Sequence, residues 1–124
     1  MIQGGGFSWL FARPAYQAQA VGVYLNRTVG ALPEQRLWNA GGRGIPDVAS
    51  AAGNLGIVSS GTAWAGGGTS AAAPFWGGVW ALATALSREL TGRPLGPANP
   101  FLYHLAATNP SCFHASTQAI CRCL

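Results

Sequence analysis

The apolar residues in the second half of the chain recur at the spacing of one helix face. Phe75, Val79, Leu82, Leu86 and Leu90 follow one another at intervals of three and four residues. This spacing predicts a helix with one strongly apolar side, and the alanines and glycines between these positions permit close approach by neighbouring elements. The sequence therefore predicts a long, buried helix.

Glycine and proline mark both ends of this helix. Three glycines, residues 66–68, precede Ser70, and Pro74 is best tolerated near the first turn of a helix. Gly92 is expected to end the helix, with Pro94 two residues further on. Ser70 is thus predicted to lie at the helix start.

Shorter apolar runs upstream predict β-strands. Residues 54–60 carry apolar side chains between glycines, and residues 62–64 are expected to return antiparallel to them. Residues 45–51 are expected to form a short buried strand or the end of one. Strands followed by a long buried helix predict part of an α/β layered domain, with Ser70 at a strand-to-helix junction.

The amino-terminal third is less regular. Residues 4–8 are rich in glycine and are expected to be flexible backbone, whereas residues 15–25 are expected to form a short helix with Pro14 near its first position. Residues 30–44 contain a proline and several glycines and are predicted to be a loop.

A serine at a helix start has two interpretations. Free N–H groups in the first turn stabilise an oxyanion, so a hydroxyl held beside them can act as a nucleophile on a carbonyl. Alternatively, Thr69 or Ser70 merely caps the helix, because serine and threonine are favoured caps. The residues after Ser70, three alanines and then Pro74, are small enough to leave its surroundings open and favour the first interpretation.

Composition excludes two classes of partner. The 124 residues carry a net charge of +4, but only 8% are charged and the seven arginines are scattered singly, which argues against a nucleic-acid interface. The uncharged run 71–86 is shorter than the roughly twenty residues of a membrane span and contains Pro74. No membrane span is therefore predicted, and no secretory signal follows Met1.

Two further motifs concern modification and metal binding. Asn26-Arg27-Thr28 matches the N-glycosylation sequon, which makes Asn26 a candidate glycosylation site in a secretory compartment. Cys112, Cys121 and Cys123 all lie near the carboxyl end, in a spacing that fits no common zinc finger. The alternative to a zinc site is a divergent tail, and no metal is predicted.

Four segments in the same order resemble the sedolisin family of serine-carboxyl peptidases. They are Gly-Gly-Gly-Phe-Ser at 4–8 with Phe-Ala-Arg-Pro-Ala-Tyr-Gln at 11–17, Gly-Arg-Gly-Ile-Pro-Asp-Val-Ala at 42–49, Gly-Gly-Thr-Ser-Ala-Ala-Ala-Pro at 67–74, and Gly-Arg-Pro-Leu-Gly-Pro-Ala-Asn-Pro-Phe-Leu-Tyr at 92–103. Subtilisins share only the segment around Ser70, and their catalytic residues follow the order Asp, His, Ser, whereas both histidines here follow Ser70.

The resemblance implies a subtilisin-like layered fold of parallel strands flanked by helices, and hydrolysis of protein or peptide substrates at acid pH. It makes Ser70 the nucleophile, with backbone groups of Gly68, Thr69 and Ser70 at the substrate and the oxyanion. It also implies a secreted or lysosomal location. In this family a glutamate acts as the base, an aspartate orients it, and a second aspartate assists the oxyanion hole.

These carboxylates have no match in the sequence and are expected to lie upstream of residue 4 in a longer peptidase. Glu89 follows Ser70 by nineteen helical residues, about 28 Å at 1.5 Å per residue. Asp47 is expected to be structural, and Glu34 to lie in an exposed turn. Residues 106–124 contain no acid, so the calcium site of the family is not expected here, and no cofactor is predicted.

The sequence therefore predicts a partial sedolisin peptidase domain at 1–105 and a divergent, cysteine-containing tail at 106–124. The favoured hypothesis is a truncated serine peptidase, catalytically silent alone, that lacks its base and calcium parts. One alternative is a non-catalytic interaction or regulatory fragment that pairs with the missing peptidase half or another chain. The other alternative is an incomplete gene model.

Overall fold

The computed structural model describes residues 5–50 and 53–114. Over these residues the chain has a mixed α/β structure with three α-helices and two antiparallel, two-stranded sheets. The strands are β1 (Gly6–Ala12), β2 (Gly42–Ile45), β3 (Leu55–Ser59) and β4 (Thr62–Gly66), and the helices are α1 (Ala18–Arg27), α2 (Thr69–Thr91) and α3 (Ala98–Thr108). The described residues divide into a hairpin–helix unit, residues 48–50 and 53–96, and a clamp unit, residues 5–47 and 97–114.

In the hairpin–helix unit, β3 and β4 form a regular antiparallel hairpin in which Ser59 pairs with Thr62. Ser60 and Gly61 connect the strands with φ values of 51° and 76°. Two consecutive positive φ values match the right-handed twist of the flanking strands. The predicted strand at 54–60 and its antiparallel return at 62–64 are confirmed.

Helix α2 begins at Thr69 and ends at Thr91. Gly92 terminates it in the left-handed conformation, with φ 72°, and its N–H donates to the carbonyl of Arg88. The predicted ends of the helix are therefore confirmed. Pro74, however, lies in the second turn, where its missing N–H leaves the Ser70 carbonyl without its usual i to i+4 partner.

The prediction that α2 is buried is wrong for the part of the chain that the structure describes. All five residues of its apolar stripe are exposed, from 39% at Val79 to 75% at Leu82. The stripe spacing determines which side of a helix is apolar, but burial requires a second element over that side. Within the described residues, no helix is long and apolar enough to cross a membrane.

In the clamp unit, β1 pairs antiparallel with β2, and the register shifts between the Phe7–Gly44 pair and the Ala12–Gly42 pair. Gly42 lies against the backbone of Ser8, so close that a Cβ atom at position 42 would overlap the Ser8 carbonyl oxygen. The strand pairing thus depends on a glycine at this position.

Several expectations for these segments are wrong. Residues 6–8, for which no strand was expected, belong to β1 and lie against β2, while residue 4 lies outside the described range. Residues 42–44, expected as loop, form most of β2. Of the short buried strand or strand end expected at 45–51, only Ile45 lies in a strand; it is exposed and ends β2 just before a cis Ile45–Pro46 bond. Position 51 is outside the described residues.

The mixed α/β class is confirmed, but every strand pair within the described ranges is antiparallel, whereas parallel strands were the expectation. Parallel strands pair only through long crossover connections, and the strands described here pair as a hairpin and as β1 with β2.

The predicted helix at 15–25 is confirmed and extended. A single 3-10 turn, Ala15–Gln17, precedes α1, which continues to Arg27. The sequence pattern alone does not indicate α3, because Pro97 and Pro100 flank or interrupt its first turn. Pro97 provides the extended residue before that helix.

Candidate functional site

Ser70 is the second residue of α2, two residues after the glycine run that follows β4. Gly68 is the N-cap residue, with φ 143° and ψ 176°, a conformation that side-chain-bearing residues rarely adopt. Its carbonyl accepts hydrogen bonds from the N–H groups of Ala71 at 2.9 Å and Ala72 at 3.4 Å. The glycine thus turns the chain sharply from strand to helix and brings Ser70 to an exposed helix terminus.

The helix start leaves polar groups of its own unpaired. The N–H groups of Thr69 and Ser70 are the first two of α2, and such groups have no acceptor within a helix. The macrodipole adds partial positive charge at the same end. Together these features suit the binding of a carbonyl oxygen that gains negative charge.

The alternative in which Thr69 or Ser70 caps α2 is wrong. The cap position belongs to Gly68, and no side chain makes a capping hydrogen bond there. Over residues 5–50 and 53–114, the hydroxyl of Ser70 has no hydrogen-bond partner, so it is available to an external group.

A proton acceptor for this hydroxyl is not present in the hairpin–helix unit. The single carboxylate among residues 48–96 is Glu89, which belongs to the last turns of the same helix. Nineteen residues of helix separate it from Ser70, about 28 Å along the axis. The Ser70 hydroxyl is therefore exposed at the start of α2, with no carboxylate of this unit within hydrogen-bond reach.

A second polar cluster lies in the clamp unit and centres on Asp47. This carboxylate accepts hydrogen bonds from Arg43 Nη2 at 2.5 Å, Gln17 Nε2 at 2.8 Å, the Tyr103 hydroxyl at 3.1 Å and Asn99 Nδ2 at 3.2 Å. The Arg43–Asp47 ion pair is largely shielded, with side chains 24% and 16% exposed. A carboxylate with four donors is fully satisfied, which fits the predicted structural role of Asp47.

Gln17 connects this cluster to the strands. Its side chain is fully buried, and its Oε1 atom accepts from the Gly44 N–H at 3.0 Å. Its Nε2 atom lies 3.0 Å from the Gly44 carbonyl and 3.0 Å from the Tyr103 hydroxyl. The amide therefore pairs with β2 in the way that a neighbouring strand would.

The surroundings of the cluster shift two of its pKa values. Burial, followed by the negative charge of Asp47, raises the pKa of Tyr103 to about 12. The hydrogen bond to Asp47, and then its charge, raises the pKa of Arg43 above its ordinary value, although partial burial opposes this. Both groups keep their protons at any physiological pH.

Three of the four sedolisin-like segments meet in this cluster. Gln17 belongs to segment 11–17, Arg43 and Asp47 to segment 42–49, and Asn99 and Tyr103 to segment 92–103. Sequence analysis did not identify Gln17, Asn99 or Tyr103. The available signal was that the single acid in residues 42–49 lies in an apolar setting and needs donors.

The remaining candidate residues lie apart from Ser70 in the chain. Asn26 is exposed in the last turn of α1. Cys112 is an exposed free cysteine, and the described part of the chain contains no group of three or more His, Cys, Asp or Glu side chains placed to hold a metal. Cys121 and Cys123 lie outside the described residues.

Comparison with known proteins identifies tripeptidyl-peptidases 1 of several organisms as relatives. The chain is 44% identical over 105 residues to tripeptidyl-peptidase 1 of Homo sapiens, 43% over 110 residues to that of Mus musculus, and 37% over 112 residues to that of Dictyostelium discoideum. These matches include 82%, 86% and 90% of this chain but only 18%, 19% and 18% of the relatives. The chain thus spans about a fifth of their length. No protein-family model matches it.

Proposed function

Because the chain is homologous to part of tripeptidyl-peptidase 1, a peptidase of the sedolisin family, we propose that it provides the nucleophile-bearing part of a serine peptidase. Ser70 is the proposed nucleophile. The observation that carries the proposal is the exposed Ser70 hydroxyl beside two unpaired N–H groups at the start of α2.

The proposed chemistry is acyl transfer from a peptide bond. The Ser70 hydroxyl oxygen attacks the carbonyl carbon while its proton passes to a carboxylate base. The negative charge that develops on the carbonyl oxygen is stabilised by backbone groups of residues 68–70 at the positive end of the helix. Protein or peptide substrates at acid pH are proposed, since a carboxylate base can still be ionised where a histidine would be protonated.

The base must come from elsewhere, either from the rest of a longer peptidase or from another chain. None of Glu34, Asp47 and Glu89 suits the task. Asp47 is saturated by its four donors, and Glu34 is paired with Arg36 on an exposed turn. Glu89 is too far along α2. We therefore propose that the isolated chain is catalytically silent.

The apolar stripe of α2 supports the same proposal. Five large apolar side chains on one helix face form a surface that soluble proteins usually cover. In the proposed complete fold, other elements, including parallel strands, would cover this stripe. Residues 106–124 contain no carboxylate, so they do not suit a calcium ion, and no metal is proposed for this chain. A secreted or lysosomal location, which the resemblance to the family implies, is also proposed.

The exposed stripe also favours a second candidate, a non-catalytic chain that binds a peptidase part without completing its active site. The two candidates differ in whether Ser70 becomes reactive in the complex. An activity-based probe distinguishes them, because it labels only a serine that a base has activated.

The test is labelling by a fluorophosphonate from acid to neutral pH. The chain is used alone and co-expressed with human tripeptidyl-peptidase 1 from which the matching segment has been removed. We expect labelling only in the co-expressed pair, and its loss on Ser70→Ala. The matched control is Ser87→Ala, which changes a serine of the same helix whose hydroxyl donates to the Arg93 carbonyl at 2.8 Å.

The outcomes separate the candidates. Equal loss of labelling with Ser87→Ala would contradict Ser70 as the nucleophile. Stable co-purification without labelling would reject the peptidase and support the non-catalytic chain. Labelling of the isolated chain would overturn the proposal that it is silent alone.

A further inference from the structure

Asn26 lies on the exposed surface of the last turn of α1, in the sequon Asn26-Arg27-Thr28. It is the single Asn-x-Ser/Thr sequence of the chain without proline at the middle position. We infer that Asn26 carries an N-linked oligosaccharide when the chain is made in a secretory pathway. This inference is independent of the peptidase proposal, because it involves neither Ser70 nor α2.

Thr28 has a structural role in the folded chain as well. Its side chain is buried, with 2% exposed, and its hydroxyl donates to the Tyr24 carbonyl at 2.8 Å. The Thr28 N–H donates to the same carbonyl at 3.0 Å. The Tyr24 carbonyl thus accepts two hydrogen bonds from Thr28, which hold this residue at the end of the helix.

The burial of Thr28 determines when the modification takes place. An enzyme that reads the sequon must reach the Thr28 hydroxyl, and the folded helix end occupies it. Transfer therefore occurs before α1 closes its last turn. Asn26 itself remains exposed afterwards, so the attached glycan projects into solvent and leaves the Thr28 contact intact.

The surface around Asn26 suits a covering sugar. Val23 is three residues earlier and therefore on the same face of α1, and it is 42% exposed. Val29, just past the helix end, is 79% exposed. A glycan at Asn26 would shield these apolar side chains from contact with other molecules.

The transfer requires a polyprenyl-pyrophosphate-linked oligosaccharide as the second reactant. The side-chain nitrogen of Asn26 forms a bond to the anomeric carbon of the sugar and loses one proton. The bond between that carbon and the pyrophosphate oxygen breaks, and the electron pair leaves with the pyrophosphate. No oxidation or reduction takes place.

The test expresses the whole chain behind a cleavable secretion leader in a eukaryotic cell. We expect the secreted chain to migrate more slowly in gel electrophoresis, by the shift that one glycan causes. Digestion with an N-glycosidase should remove this mobility shift. Because the enzyme converts the modified asparagine to aspartate, digestion in heavy-oxygen water would mark position 26 by mass spectrometry. Asn26→Gln is expected to abolish the mobility shift completely, while the Thr28 hydroxyl keeps its bond to the Tyr24 carbonyl.

Two substitutions at Thr28 test whether its hydroxyl is required for the modification. Thr28→Ser preserves both the sequon and the hydroxyl donor, so it should keep the mobility shift. Thr28→Val removes both, so it should abolish the shift. A positive control moves the sequon to two exposed positions by combining Asn26→Gln with Val29→Asn and Ala31→Thr. An unmodified wild-type chain in cells that modify this control would overturn the inference.

Discussion

The side-chain amide of Gln17 donates a hydrogen bond to the Asp47 carboxylate at 2.8 Å, although thirty residues separate the two in sequence. The same amide pairs with both backbone groups of Gly44 in β2. A single buried side chain thus links the segment before α1, the strand β2 and the carboxylate that Tyr103 and Asn99 also bind. Hydrogen bonds around Gln17 and Asp47, more than apolar packing, connect the elements of the clamp unit.

We expect Gln17→Leu to destabilise the clamp unit. The leucine would leave the buried N–H of Gly44 without its acceptor and would remove one of the four donors to Asp47. Each unsatisfied buried group costs about 1–3 kcal/mol, so the free energy of unfolding should fall by at least that amount. Urea unfolding of the whole chain, monitored by tryptophan fluorescence, measures the change in the free energy of unfolding. Gln19→Leu, at an exposed position of α1, is the control and should change stability by less than about 0.5 kcal/mol.

The raised pKa of Tyr103 predicts a pH dependence of stability. The unfolded phenol loses its proton near its ordinary pKa of 10.0, whereas the folded one keeps it up to about 12. Between these values the folded state holds more protons than the unfolded state, so stability falls as pH rises through this window. Stability that Tyr103 contributes is fully present below pH 10.

Tyr103→Phe should remove this part of the pH dependence, because phenylalanine cannot ionise. The measurement is urea unfolding at a series of pH values from neutral to pH 12, which brackets the folded pKa. Tyr24→Phe serves as the control and should retain the steeper fall. An identical alkaline slope in the wild type and in Tyr103→Phe would contradict the role given to burial and to the charge of Asp47.

Gly42 and Gly41 provide a matched pair for the contact between β1 and β2. A Cβ atom at position 42 would overlap the backbone of Ser8, whereas one at position 41 would meet only Asn39 Oδ1 at 3.6 Å, an ordinary contact. Overpacking costs about 1–3 kcal/mol, and more where backbone must move. We therefore expect Gly42→Ala to lower the free energy of unfolding by about 3 kcal/mol and Gly41→Ala to have little effect. Similar stabilities of the two variants would show that the strands tolerate a side chain there.

The parts of the fold that were predictable from sequence depend on neighbours along the chain. The hairpin of β3 and β4 and the ends of α2 follow from local spacing, from Gly92 and from the glycines before Thr69. The pairing of β1 with β2 joins residues that are 30 to 39 positions apart across a shift of register, and nothing in either segment specifies that register. The sedolisin-like segments indicated which residues matter, and the contacts of Gln17 show why three of those segments occur together.

The start of α2 was predicted, but the role of its hydroxyls needed the structure. Because Gly68 occupies the cap position and no side chain caps the helix, Ser70 contributes no capping bond. We therefore expect Ser70→Ala to change the free energy of unfolding by less than about 0.5 kcal/mol, whereas removing a capping serine costs about 1 kcal/mol.

Two other substitutions in and before α2 calibrate this expectation. Ser87→Ala should cost about 1 kcal/mol, because its hydroxyl bond to Arg93 is lost. Gly68→Ala should cost about 1–3 kcal/mol, since its φ of 143° strains any residue with a side chain. If Ser70→Ala proved as costly as Ser87→Ala, the hydroxyl would have a structural partner and the case for a free nucleophile would fail. A neutral Ser70→Ala that also abolishes probe labelling would mean that this serine is kept for chemistry and not for stability.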